Sequence, residues 1–324
     1  MQNKLYPWLS QYYIKIINMI KKRQHSAVML NSDNNIGINK LILNIKKWIF
    51  CKNIQNEYAC NKCKECMLIN ENKNFDIYNI NLLNKIKINE IRKIIEKILL
   101  TSKSCKKKII YIKHSEFITE LESNTLLKII EEPPKNTIFF LQTSKIKNII
   151  STLKSRLYIV NIINPKKNTS IKWLLKNTNF NKKICEQAIK ISNNVPLFAI
   201  KMLNSNLWKI RKHFYAQLFY IIKNEKLLNI IKIIQRKEIN FLLNLIYTIF
   251  LDAIKYKKNI LKFIINTDQK KLIKMISKKF KKKIIFNSII SWIQFEKNLF
   301  NIDRVNYDLI LLEQVFKWNK ILKN

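Results

Sequence analysis

The chain has a single glycine, Gly37, in 324 residues. Glycine lets a backbone turn left-handed and approach a phosphate closely. Its scarcity excludes an intact G-x-x-x-x-G-K-[ST] phosphate loop anywhere, because that loop needs two glycines at fixed spacing. Arginine is also scarce: 6 of the 61 basic residues are Arg and 55 are Lys. Acidic residues number 21, which leaves a formal net charge of +40. No uninterrupted apolar run reaches roughly 18 residues, so no transmembrane helix and no membrane partner are expected. The N-terminus lacks an apolar core followed by small residues, so no signal peptide is expected and the expected address is cytoplasmic.

Against these absences, 48% of the residues are hydrophobic, which is the composition of a globular chain. A length of 324 residues is enough for two or three domains with a sizeable core. The charge has two readings. Ile, Asn and Lys are abundant while Gly, Ala, Pro and Arg are rare, as an A+T-rich coding sequence would produce, and coding bias is the main reading. Contact with a polyanion such as DNA is the second. No basic stretch carries the interleaved aromatics of a single-strand groove. The densest basic run, Lys278 to Lys283, suits a solvated helix face equally well.

The most informative stretch runs from Lys108 to Arg156. A short apolar run, Ile109 to Ile112, precedes a helical segment predicted over Glu116 to Glu132 and stopped by Pro133-Pro134. A second apolar run, Ile138 to Leu141, follows. Ala27 to Asn31 reads as an earlier strand, and Leu157 to Ile162 as the last one. Short apolar runs alternating with helical segments predict βαβ units and a parallel sheet buried on both faces. Leu5 to Lys22 and Ile38 to Ile49 read as helices, and Ile88, Ile91, Ile95 and Ile98 mark one face of another over Lys85 to Leu99.

The loop from Ser32 to Gly37, between a strand and a helix, stands where nucleotide-binding proteins of this layout carry the phosphate loop. Gly37 takes the place of its second glycine. Ile38 fills the Lys slot and Asn39 the Ser/Thr slot, and Lys40 comes two positions late. The acidic site that should end the strand Ile109–Ile112 is degraded too. His114 stands where a magnesium-holding Asp belongs, and Glu116 alone makes no magnesium site. His114 reads as an ordinary, partly buried histidine. No ATP is expected to bind this chain.

Cys51, Cys60, Cys63 and Cys66 form C-x8-C-x2-C-x2-C. Two-residue spacings let thiolates converge from a tight turn onto one tetrahedral ion, which points to Zn²⁺. Disulfides are disfavoured in the cytosol, and a redox pair would leave two cysteines unexplained. Four protein ligands leave no open position, so the zinc is expected to be structural. Cys105 and Cys185 read as buried thiols.

Leu126 to Pro134 (LLKIIEEPP), Phe139 to Thr143 (FFLQT) and Ser155-Arg156, in that order, resemble the clamp-loader AAA+ family. The likeness runs from Tyr6-Pro7-Trp8 to about Pro196, and more thinly to the C-terminus. It implies an α/β plus all-α chain: an AAA+ RecA-like parallel-sheet domain over 1–165 with the zinc module (about 50–68) inserted after its first helix, a small helical lid domain over 166–206, and a helical collar domain over 207–324. It also implies a subunit of the bacterial DNA polymerase III clamp loader that is not itself an ATPase. The implied partners are ATPase subunits of gamma/tau type and a clamp-opening delta-like subunit, and through them the sliding clamp and primed DNA. In the family, the arginine of the Ser-Arg motif, here Arg156 beside Ser155, enters the ATP site of the neighbouring subunit. A guanidinium suits that task because its planar fork binds phosphate oxygens bidentately. The family usually continues with Cys, where this chain has Leu157, a change expected to alter packing. Active members also supply an arginine from the lid region, and between Arg156 and Arg211 there is none. Two other readings are an active ATPase or helicase loader, opposed by Ile38 and His114, and a zinc-containing nucleic-acid-binding module acting alone.

From Ile171 to Leu203 three short helices are expected, with a turn at Asn193 to Pro196, and helices thereafter. Val305, Leu309, Leu312 and Phe316 repeat at helical spacing. Trp208, Trp292 and Trp318 read as core residues.

Overall fold

The computed structural model describes residues 5–33, 35–82, 107–234, 236–301 and 307–323. The helix expected over 85–99, Cys105 and Val305 lie outside the described residues. The chain divides into two compact units, Met1–Thr169 and Ser170–Asn324.

In the first unit, Pro7 opens a 3-10 turn over Pro7–Leu9, and α1 follows at Ser10–Lys21. The helix therefore starts later than expected: proline fits the first turn, where its missing N–H costs nothing. Strand β1 (Ala27–Ser32) leads through the Gly37 loop into α2 (Ile38–Phe50). Next come the hairpin β2 (Ile54–Gln55) and β3 (Tyr58–Ala59), α3 (Lys64–Asn70) and β4 (Ile77–Asn81). The rest of the unit holds β5 (Lys108–Lys113), α4 (Glu120–Glu131), β6 (Thr137–Thr143), α5 (Ser151–Ser155) and β7 (Tyr158–Ile162).

The main sheet has the order β4-β5-β6-β1-β7, all parallel. The apolar runs become strands because both faces are covered. Ala27, Met29, Ile110, Ile112, Phe139 and Leu141 pack on one face with Leu126 and Ile130 of α4 and Leu153 of α5. The alternate residues Val28, Leu30, Tyr111 and Phe140 point the other way by the two-residue pleat and are buried as well.

Helix α4 begins four residues later than expected. His114 is left-handed, Ser115–Phe117 forms a 3-10 turn, and Ile118 is extended. Thr119 then caps the helix: its hydroxyl accepts from the Glu122 N–H, and the Glu122 carboxylate accepts from the Thr119 N–H at 2.8 Å. This reciprocal cap fixes the start more strongly than propensity does. The helix ends before Pro133, as its sequence requires.

Asparagine does much of the turning that glycine usually does. Among the described residues, twelve non-glycine residues have positive φ, and eight of them are Asn: 35, 56, 61, 72, 136, 193, 194 and 259. Asparagine tolerates the left-handed region better than other side chains do.

The second unit is helical: α6 (Lys167–Asn177, whose first residues belong to the first unit), α7 (Lys182–Ile191), α8 (Pro196–Asn204), α9 (Leu207–Lys223), α10 (Ile239–Lys257), α11 (Lys270–Lys279), α12 (Lys282–Asn301) and α13 (Tyr307–Lys323). One hydrophobic core runs from Ile171 to Leu322 and contains Trp208, Trp292 and Trp318. Helix α10 is 19 residues long and apolar enough to cross a membrane by length and composition. Its buried residues, among them Leu242, Leu243, Ile246, Ile249 and Phe250, pack inside that core instead.

Candidate functional site

The N-terminal end of α2 is the corner where a phosphate loop would sit. Gly37 has φ 100° and ψ 25°, a conformation only glycine adopts freely, and its carbonyl accepts from Lys40 N–H at 3.0 Å. Structural contacts fill the rest of the corner. Trp8 Nε1 donates to the Ile36 carbonyl at 2.9 Å. Ile38 is buried at 4% exposure. Lys40 turns away over the Tyr6 ring, 4.7 Å from its centroid. The Asn39 side-chain oxygen accepts from the Tyr111 hydroxyl at 3.3 Å. Asp33 adds a carboxylate to the loop, bonded by Asn164 at 2.6 Å.

Across the sheet, His114 follows the C-terminal end of β5, with Nδ1 3.7 Å from Glu116 Oε1. Burial pushes the Glu116 carboxyl up, but its own backbone N–H and the Ser144 and Thr143 hydroxyls outweigh this, so it stays below the usual carboxylate range. Ser144 Oγ donates to it at 2.9 Å. Glu116 Oε1 is engaged by Ser144, and the side chain is only 4% exposed.

The C-terminal end of α2 runs straight into the cysteine module. The Sγ atoms of Cys51, Cys60, Cys63 and Cys66 all lie within 4.8 Å of one another. Cys51 and Cys60 are 3.5 Å apart. Four sulfurs at about 2.3 Å from a tetrahedral zinc would be about 3.8 Å apart, so the donor set fits. Local sequence builds the site. Asn56 and Glu57 both have positive φ and close the β2–β3 hairpin with the twist such short loops need. Backbone N–H groups point at the sulfurs, from Cys60 to Cys51 at 3.3 Å and from Cys63 to Cys60 at 3.4 Å. The N–H groups of Lys62 and Cys63 bring the Cys60 thiol down to about 6, whereas burial pushes that of Cys66 up. Tyr13 ties the module to α1, stacking on Tyr58 at 5.0 Å and donating to the Glu57 carbonyl at 3.0 Å.

Ser155 closes α5 and Arg156 caps it, just before β7. Arg156 is exposed. Its Nε donates to Glu131 at the end of α4, and a terminal nitrogen donates to the Thr152 carbonyl at 3.0 Å. Because the strands are parallel, Arg156 enters the sheet at the N-terminal end of β7, while the Gly37 loop and His114 leave it at the C-terminal ends of β1 and β5. Five residues of strand separate these ends by about 16 Å, at about 3.3 Å per residue. The structure therefore brings the four cysteines together, and sets Arg156 apart from the corner holding Ile38, Asn39 and His114.

Residues 9–166 match the family described as DNA polymerase III, delta subunit, and residues 205–320 match its C-terminal counterpart. DNA polymerase III subunit delta′ of Buchnera aphidicola subsp. Acyrthosiphon pisum is 36% identical over 98% of this chain and 99% of its own length. The chain belongs to the DNA polymerase III delta′ subunit family. The delta′ subunit of Yersinia pestis is 25% identical over 98% of this chain and 96% of its own length. The gamma subunit of Buchnera aphidicola subsp. Schizaphis graminum is similar over a shorter stretch, 29% identical over 41% of this chain and 36% of its own length.

The second unit holds polar groups that sequence spacing did not reveal. Arg211 has a fully buried side chain. It donates to both Asp268 oxygens at 2.7 and 2.8 Å and to Asn266 Oδ1 at 3.0 Å, between the rings of Trp208 and Tyr215. Buried Asp252 accepts from the backbone N–H groups of Ile265 and Asn266. Partners lie 55 and 57 residues along the chain from Arg211, so no local pattern could have signalled them.

Proposed function

We propose that this delta′-family chain is the subunit of a clamp loader that does not hydrolyse ATP, a stator that holds partner subunits and supplies Arg156 to the nucleotide of a neighbour. The observation that carries this reading is the placement of Arg156. It is exposed, outside any core, and at the opposite end of the parallel sheet from the chain's own degraded phosphate corner. Any phosphate it meets belongs to another chain. Ile38, Asn39 and His114 support the other half of the reading: Ile38 is buried, Asn39 accepts from Tyr111, and an imidazole facing Glu116 at 3.7 Å stands where a magnesium-holding carboxylate belongs.

The proposed cofactor is one structural Zn²⁺ held by Cys51, Cys60, Cys63 and Cys66. The proposed organisation is a RecA-like domain over 1–165, a lid over 166–206 and a collar over 207–324. Exposed apolar stripes on the last helices suit a collar that meets other subunits. Leu309, Leu312 and Phe316 on α13 are 63%, 40% and 46% exposed, while Leu311, Val315 and Trp318 on its other side are buried. Apolar surface of this kind is a docking face. The proposed partners are gamma/tau-type ATPase subunits and a delta-type subunit, acting on the sliding clamp at primed DNA in the cytoplasm.

The test is a clamp loader reconstituted with Arg156→Ala. The variant should fold and join the complex, and DNA-stimulated ATP hydrolysis and clamp loading should fall. An arginine supplied in trans is worth about 10³–10⁵ in rate at the site it serves. Total turnover should fall less, because other sites keep their arginines. Arg156→Lys should recover little, since an ammonium lacks the fork. Full activity in a complex that contains the Ala variant would make Arg156 an ordinary surface residue.

A further inference from the structure

Lys46 lies on α2 and is 6% exposed, yet among the described residues it makes no ion pair. Its ammonium donates to Asn79 Oδ1 on the edge strand β4 at 2.5 Å and lies over the Tyr111 ring, 4.7 Å from the centroid. Lys113, at the end of β5, places a second ammonium over the same ring at 5.5 Å. Both lysines line an open cavity of about 430 Å³, with Asn39, Asn70, Asn72 and Asn79 contributing amides to its wall. No described residue lining it is a carboxylate. Two buried acids flank the lining residue Asn74: Glu65 accepts from its amide at 3.0 Å, and the Asp76 backbone N–H donates to its side-chain oxygen at 3.0 Å.

An ammonium buried without a counter-charge costs several kcal/mol, so buried lysines are normally paired or carry their charge out to water. Among the described residues, the charge that acts on Lys46 is a second cation, Lys113. Burial, and then the Lys113 ammonium, bring Lys46 down to about 7. An anion in the cavity that both lysines line would supply the missing counter-charge. Asparagine amides donate two N–H bonds each, so the wall can complete the shell of an oxyanion.

We propose that this cavity is an oxyanion site that takes a phosphate group, with Lys46 and Lys113 supplying charge and the asparagine amides supplying hydrogen bonds. The phosphate is either free or part of a nucleic-acid backbone, since the same donors serve both. The site needs no magnesium, which separates it from ATP chemistry.

The test is calorimetric titration of the full chain, at low ionic strength and without magnesium, with inorganic phosphate and separately with a short single-stranded oligonucleotide. Phosphate should bind saturably at one site. Lys46→Met, which keeps the length of the side chain, and Lys113→Gln should each weaken binding at least tenfold. Lys281→Gln, on an exposed residue of the second unit, should not. A matching loss of oligonucleotide binding in the two cavity variants assigns the site to a nucleic-acid backbone; a loss confined to inorganic phosphate assigns it to the free ion. Phosphate binding equal to wild type in Lys113→Gln or in a folded Lys46→Met, or non-saturating uptake shared by all variants, would overturn the proposal.

Discussion

Helix α2 has a different kind of arrangement at each end. At its C-terminal end four sulfurs point at one spot, and at its N-terminal end a loop with the outline of a phosphate cradle holds none of the side chains that grip ATP. About 20 Å of helix separates them, 13 residues at about 1.5 Å each. The contrast follows from how each site is built. A closed tetrahedral site is made of side-chain donors, and removing one breaks it. A phosphate loop is a backbone shape with a few added side chains, so the shape can persist as a structural turn. Trp8, Tyr6 and Tyr111 now hold that turn through Ile36, Lys40 and Asn39.

The sharpest way to break the contrast is at the cysteine end. Freshly purified protein should carry one zinc per molecule, and Cys63→Ser should carry none. Structural zinc binding is worth about 10–16 kcal/mol in small zinc peptides, and it is also the folding energy of the segment it organises. Elemental analysis should therefore show a loss of metal, and hydrogen exchange a loss of protection confined to residues 51–66. The parallel sheet should survive, because the apolar cluster on its α4 face does not involve the module. Zinc-free wild-type protein would remove the contrast altogether.

Much of this frame is legible in the sequence, for a physical reason. Parallel strands buried on both faces must be continuous apolar runs, and Ile109–Ile112 and Ile138–Leu141 are such runs. Pro133 had to end a helix. The cysteine spacing is local and carries its own geometry. The start of α4 is also present in the sequence, as Thr119 with Glu122 three residues on, a capping box that the helix expected from Glu116 runs through. Other features rest on contacts that spacing does not encode. Arg156 meets Glu131 from 25 residues away. On α13, apolar residues occur on both sides of one helix, so periodicity alone could not say that Leu311 and Val315 would be buried and Leu312 and Phe316 exposed. Lys46 became visible only once β4 and β5 were laid beside it.

A smaller effect tests how strictly the N-terminal end of α2 keeps its shape. Gly37→Ala should cost about 1–2 kcal/mol, the penalty of a left-handed Cβ. Gly37→Asn should cost less, because Asn holds eight left-handed positions elsewhere in this chain. Urea denaturation of the full chain resolves the two. An Ala variant as stable as wild type would mean that the loop relaxes freely and that its retained outline has no structural role.

The smallest expected effect is none. Restoring the two side chains that grip phosphate and magnesium, by Ile38→Lys with Asn39→Ser, should not produce magnesium-dependent ATP binding in a calorimetric titration. Micromolar affinity corresponds to about 8 kcal/mol. A charged hydrogen bond from one lysine contributes about 1.5–3 kcal/mol of that. Position 38 is 4% exposed, so a lysine there starts with a burial cost. The remaining energy would have to come from backbone N–H groups in a loop with one glycine, and from magnesium. The loop instead presents the Asp33 carboxylate, which repels phosphate. His114 follows the strand that should end in a magnesium ligand, and the buried Glu116 beyond it is already bonded by Ser144. Adding His114→Asp supplies a ligand and still leaves the loop without its first glycine, where Ser32 stands. If the double variant bound ATP at micromolar concentration, the loss at this end of α2 would be only two side chains deep, and the two ends would differ in degree and not in kind.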